Sequence, residues 1–128
     1  MKPKTILLIL RIAVAAILIQ TLRFKFTGHP DSIYIFETIG LEPIGRIGIG
    51  VLELIAGILL LIPKTVWAGG LLATGLMAGA ILMHLTQLGI EVKNDGGVLF
   101  FTALITFVLS LTILWRERKQ IPLLGPRL

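Results

Sequence analysis

Cysteine is absent from these 128 residues, which excludes disulfides, thiolate metal sites and Cys-x-x-Cys electron shuttling within the chain. Charge is scarce. Only 15% of the residues are Asp, Glu, Lys or Arg, with 7 acids and 2 histidines, and no metal-ligand spacing, phosphate loop or hydrolase motif occurs among them. The bulk of the chain is apolar, with 55% hydrophobic residues and a mean hydropathy of +0.95. That composition takes it out of the water-soluble class and makes the lipid bilayer its first partner. The net charge of +5 is not a nucleic-acid signal, because the bases gather at the ends of apolar runs instead of forming a patch on a water-exposed face.

Four apolar runs predict helices at about 5–22, 44–62, 66–88 and 97–115, an all-α integral membrane antiparallel four-helix bundle forming a single transmembrane domain over 1–128. The first run lies behind Met1-Lys-Pro-Lys4 and includes Ala13-Val-Ala15, which imitates a signal peptide. Arg11 interrupts its apolar stretch, and three further runs follow, so it reads as a retained span. Arg23-Phe-Lys25-Phe-Thr-Gly28-His29-Pro30 ends it, with bases able to snorkel and Gly and Pro to stop the helix. Residues 31–43 read as a short interfacial piece. Pro63-Lys64 is so tight a turn that the third helix must return beside the second. In the 91–97 turn Asn94 or Asp95 stands ready to cap the fourth helix. Four spans put both termini and the Pro63-Lys64 turn on one side, which carries Lys2, Lys4, Lys64, Arg116, Arg118, Lys119 and Arg127. The positive-inside bias therefore predicts cytoplasmic termini in a cell (inner) membrane, and Trp67 and Trp115 fall at that same interface.

Glu53 is the anomaly. It sits at the midpoint of the run from Ile44 to Ile62, where an ionisable group costs about 2.5–3.5 kcal/mol on insertion scales, so it needs a partner or a wet cavity. Arg46, Gly50, Glu53 and Gly57 share one face of this helix. Arg11 lies about 5 Å from the middle of the first helix and is the expected partner; the alternative has it snorkelling to the headgroups. A second polar layer brings Arg46 and His84 to similar depth. His84 continues a face of Gly70, Ala73, Met77 and Ala80, which reads either as the wall of an outward-opening cavity or as a core histidine bonded to a neighbour. Gly75-x-x-x-Gly79 lies on the opposite face and suits either a homo-oligomer seam or packing within the chain. Arg11, Glu53, His84 and Arg46 are thus the candidate binding residues, with no metal among them and no catalytic group assigned.

Leu10-Arg11-Ile12, the stretch Glu53-Leu-Ile-Ala-Gly-Ile-Leu-Leu-Leu-Ile62 and His84 together resemble the DoxX-like family of small four-helix membrane proteins over nearly the whole chain. Where members often show a glycine and a lysine at the end of the first helix, this chain reads Gln20-Thr-Leu-Arg-Phe-Lys25, and only Lys25 matches. Asp95-Gly96-Gly97-Val98 also departs from the usual pattern before the fourth helix. Some relatives serve in thiosulfate:quinone oxidoreductase or other redox assemblies. The resemblance therefore implies a membrane subunit or binding module of a quinone-linked redox complex, with quinone as the candidate cofactor and a partner subunit carrying the redox centre. Two other readings stay open, a small-molecule carrier in which Glu53 titrates and an assembly protein without catalysis.

Overall fold

In lipid a backbone has no outside hydrogen-bond partner, so runs of Leu, Ile, Val and Ala fold as helix. The computed structural model of the chain describes residues 2–127, and every regular element among them is helical. α1 runs Pro3–Gln20, α2 Leu22–Thr27, α3 Pro30–Thr38, α4 Ile44–Leu61, α5 Val66–Met83 and α6 Val98–Arg116. Among the described residues four stretches are long and apolar enough to cross a membrane: Pro3–Thr27, Ile44–Leu61, Pro63–Leu88 and Val98–Arg116.

The first span is longer than its apolar run. α1 breaks at Thr21, whose hydroxyl lies 2.8 Å from the Leu18 carbonyl, a side-chain bond that competes with the helical ladder. α2 then adds a further turn and a half that carries Lys25. The stop is Gly28, which takes the left-handed φ of +70° that glycine adopts without penalty, its N–H reaching the Phe24 carbonyl. α3 begins at Pro30, with the His29 ring as its N-cap, Nδ1 accepting the Asp31 N–H at 3.1 Å. The connection at 31–43 is thus largely helical. Lys93 ties α3 to the α5–α6 loop, pairing with Asp31 at 3.2 Å and lying 5.3 Å from the centre of the Tyr34 ring.

The first span, α1 and α2 together, runs antiparallel to α4, with Arg11 opposite Leu60, Ile19 opposite Gly57, Lys25 opposite Glu53 and Phe26 opposite Gly50. The core gathers Val14, Ala15 and Leu18 from α1, Ala56 and Leu60 from α4, Val66 and Ala73 from α5 and Ile113 from α6. Since lipid tails are as apolar as these side chains, close van der Waals fit holds the helices together more than hydrophobic transfer does. Gln120 Nε2 donates to the Pro63 carbonyl at 3.1 Å, placing the end of the chain against the α4–α5 turn.

Asp95 caps α6. Its Oδ1 accepts the N–H groups of Val92 at 3.1 Å and Gly97 at 2.8 Å, and its Oδ2 accepts that of Leu99 at 3.1 Å. Desolvation acts to raise this carboxyl, but the three N–H groups, aided by the nearby His84 ring, outweigh it and hold it below the usual carboxylate range. A depressed carboxyl contributes its stability in full above the unfolded value of about 3.9 and loses it as pH falls through the folded value. Asp95→Asn is expected to lower stability at pH 7 by about 1 kcal/mol. Thermal melts of the two proteins should converge below about pH 4, and a gap that stayed constant with pH would assign the cap's contribution to something other than its charge.

Candidate functional site

The Thr21 break and the Gly28 stop put Lys25 on the turn of the first span that crosses α4 at Glu53. Lys25 Nζ pairs with Glu53 Oε1 at 2.9 Å, and the Thr21 hydroxyl lies 2.9 Å from Glu53 Oε2. Lys25 Nζ also donates to the Thr21 oxygen at 3.3 Å. A hydroxyl has one proton, so Thr21 gives it either to Glu53 or to the Leu18 carbonyl while accepting from Lys25. Burial is uneven within this triad: the Glu53 side chain is 4% exposed and that of Lys25 17%. The acid is sealed, while the lysine side chain is only partly covered.

Two turns away on α4, Arg46 Nε sits 2.9 Å from Glu42 Oε1 and 3.0 Å from Oε2, and its Nη1 donates to the Lys25 carbonyl. Two cations and two anions thus form one electrically balanced layer between α2 and the first half of α4. Phe26 lies across Gly50, where an added Cβ would meet ring carbons, so this glycine makes room for the ring beside the polar layer.

The expected pairing of Arg11 with Glu53 is not what forms. Arg11 Nε donates to the Leu60 carbonyl at 2.7 Å, two helical turns, or about 10 Å, from Glu53. Pro63 has no N–H to continue α4, which leaves the last-turn carbonyls in need of donors. Arg11 satisfies one, and the Thr65 hydroxyl reaches that of Leu59 at 2.9 Å. His84 is buried, but not beside Glu53. It opens a π-helical turn over His84–Leu88, its Nδ1 lies 2.9 Å from the Gly89 carbonyl, and its ring stands edge-on to Phe100 with centroids 5.6 Å apart. Of the four residues singled out in the sequence, Glu53 and Arg46 come together through Lys25, whereas Arg11 and His84 do not join them.

Thr21 and Lys25 are the residues that sequence reasoning missed as partners of the acid. The signal lay in Gly28, a stop placed one residue after Thr27, which extends the helix far enough to bring Lys25 inward. Among the described residues no group of three or more His, Asp or Glu could hold a metal ion. Two open grooves are apolar, one of about 400 Å³ along Leu111, Thr112 and Trp115, the other of about 410 Å³ along Pro43, Ile44, Ile47 and Gly48. Neither is lined by the charged layer.

Comparison with known proteins gives a match to the family model DoxX over residues 6–85. That stretch runs from within α1 through the end of α5 and therefore includes the whole Thr21–Lys25–Glu53 triad. No curated protein and no solved structure matches the chain.

Proposed function

The chain belongs to the DoxX family, and from that premise we propose that this multi-pass membrane protein is the binding subunit of a quinone-linked redox complex. The observation that carries the reading is the Lys25–Glu53 pair: a half-buried lysine whose ammonium is aimed by a sealed carboxylate and keeps one N–H uncommitted among the described residues, within an apolar helix pair. Such a group donates to a carbonyl oxygen of an amphipathic ring, while the apolar flanks of α1 and α4 suit its tail. Arg46 and Glu42 keep the layer neutral and rigid around it. Among the described residues His84 makes no hydrogen bond through Nε2, and it stands apart from the triad as the candidate proton donor or acceptor. Electrons come from the partner subunit. The excess of bases at the end bearing both termini supports cytoplasmic termini in an inner membrane.

The test is binding of a short-chain ubiquinone analogue to the full chain in lipid nanodiscs, followed by titration calorimetry. A double variant, Lys25→Met with Glu53→Gln, removes the donor without stranding the acid. Loss of one charge-assisted hydrogen bond, about 1.5–3 kcal/mol, predicts an affinity lower by roughly 10–100-fold. Equal affinity in both proteins sinks the quinone site.

A second reading has its own observation. Both carboxylate oxygens, the Thr21 hydroxyl and two of the three Lys25 N–H groups are already paired inside the protein, as a register lock between the first span and α4 would require. On that reading the layer serves assembly, and the double variant shifts stability or subunit association with no ligand effect. The outward glycines Gly75 and Gly79 would then offer a seam for a homo-oligomer. The carrier reading loses ground, because Glu53 is held by an ammonium and a hydroxyl at once.

A further inference from the structure

Arg11 is left with chemistry that the protein does not satisfy. A guanidinium carries five N–H donors and keeps its charge at any accessible pH. One of them, on Nε, meets the Leu60 carbonyl at 2.7 Å; among the described residues the others have no partner and the charge has no counter-ion. Arg11 is half-buried on a helix that crosses the membrane, where an uncompensated charge is expensive.

Its level along the bundle says what meets it. Leu60 is in the last turn of α4, just before the Pro63–Thr65 turn, so Arg11 stands only about 6 Å above Lys64 along the axis, where hydrocarbon gives way to headgroups. Lys4 lies two turns before Arg11 on the same face of α1. Neither Lys4 nor Lys64 has an acidic partner among the described residues. The acids stand elsewhere: Asp31, Glu37, Glu42, Glu91 and Asp95 lie at the opposite end, Glu53 is mid-helix and paired with Lys25, and Glu117 alone shares this end. Flanking Arg11, Leu8 and Ile12 are exposed, as is Leu61 across the seam on α4.

We propose that Arg11, with Lys4 and Lys64, binds the phosphate of an anionic phospholipid in the seam between α1 and α4 at the end bearing both termini. The bond from Nε to Leu60 fixes the guanidinium plane, so its outer N–H groups present a fork to two phosphate oxygens. The exposed Leu8, Ile12 and Leu61 side chains lie along the acyl chains. The occupant is a lipid and not a free anion because those apolar neighbours give inorganic phosphate nothing to gain. This site is separate from the Lys25–Glu53 layer and stands whether or not that layer binds a quinone.

The experiment loads the full chain into vesicles of equal phosphatidylglycerol and phosphatidylcholine, extracts it in mild detergent, and measures retained lipid by mass spectrometry. The wild type should retain phosphatidylglycerol preferentially. Arg11→Gln should lower that preference by about fivefold, the effect of one interfacial charge, and Arg11→Lys should restore part of it. If Arg11→Gln does not fold, Lys4→Gln with Lys64→Gln carries the same expectation. No preference in the wild type, or an undiminished one in whichever variant folds, overturns the site. Displacement of phosphatidylglycerol by millimolar sodium phosphate overturns the lipid assignment in favour of a free-anion site.

Discussion

Replacing Lys25 by Met is expected to lower stability by about 3–5 kcal/mol, the cost of stranding one member of a buried ion pair. The Glu53 side chain is 4% exposed, so the carboxylate left behind has no route to water. Thr21 remains 2.9 Å from Oε2, but one hydroxyl cannot replace an ammonium that bonded both Glu53 and Thr21. Adding Glu53→Gln to the same chain removes the stranded charge, and most of the loss should return, because desolvating two ions consumes much of what their attraction supplies. The measurement is unfolding in detergent, read by circular dichroism for the wild type, both single variants and the double variant. A coupling energy near zero in that cycle would mean that the 2.9 Å pair contributes nothing to the folded state. The Asp31–Lys93 pair is the control. Its side chains are 57% and 43% exposed, and Asp31→Asn is expected to cost within about 1 kcal/mol.

The same pair shows what is readable in the sequence and what is not. Apolar runs, the Pro63-Lys64 turn and a cap at Asn94 or Asp95, of which Asp95 forms it, are local features that need no knowledge of the rest. Which residue of one helix faces which residue of another depends on where both helices end. Ending the first helix at Leu22 sets its middle close to Arg11 and makes Arg11 the natural partner for Glu53. With the helix carried on to Thr27, the register shifts by about two turns, Glu53 meets Thr21 and Lys25, and Arg11 is level with Leu60. An arginine and a lysine are interchangeable as counter-ions on paper, so composition could not choose between them. Geometry chose, through one glycine. The Arg46–Glu42 bond was hidden for a related reason, since Glu42 lies before the start of α4 and reads as loop although it stands one turn from Arg46. His84 was legible as a buried polar group but not as the first residue of a π turn that bonds its ring to Gly89.

Gly69→Leu is expected to unfold the bundle or to open it between α4 and α5, whereas Gly79→Leu is expected to leave stability within about 0.5 kcal/mol. In sequence the ranking looks reversed, because Gly75-x-x-x-Gly79 is the recognisable helix-packing motif and Gly69 belongs to none. A Cβ at Gly69 would lie 2.7 Å from the Leu60 backbone nitrogen, 2.9 Å from Leu60 Cγ and 3.0 Å from the Ala56 carbonyl. Two of those three atoms are backbone, and backbone in a helix cannot move aside without moving the helix. Even Gly69→Ala should cost about 1–3 kcal/mol, against which the better helix propensity of alanine returns at most about 1 kcal/mol. At Gly75 and Gly79 an added Cβ meets nothing within 4 Å. These two glycines therefore contribute no close approach inside the chain, and a leucine there projects outward. Unfolding in detergent separates the two positions. Chemical cross-linking in vesicles adds the decisive contrast: Gly79→Leu with unchanged stability but lost cross-linked dimer places a second copy of the chain on this face, while unchanged stability with unchanged cross-linking leaves it to lipid. Either outcome at Gly79 leaves the expectation at Gly69 in force, because the α4–α5 contact is set by backbone distance alone and owes nothing to what covers the outer face.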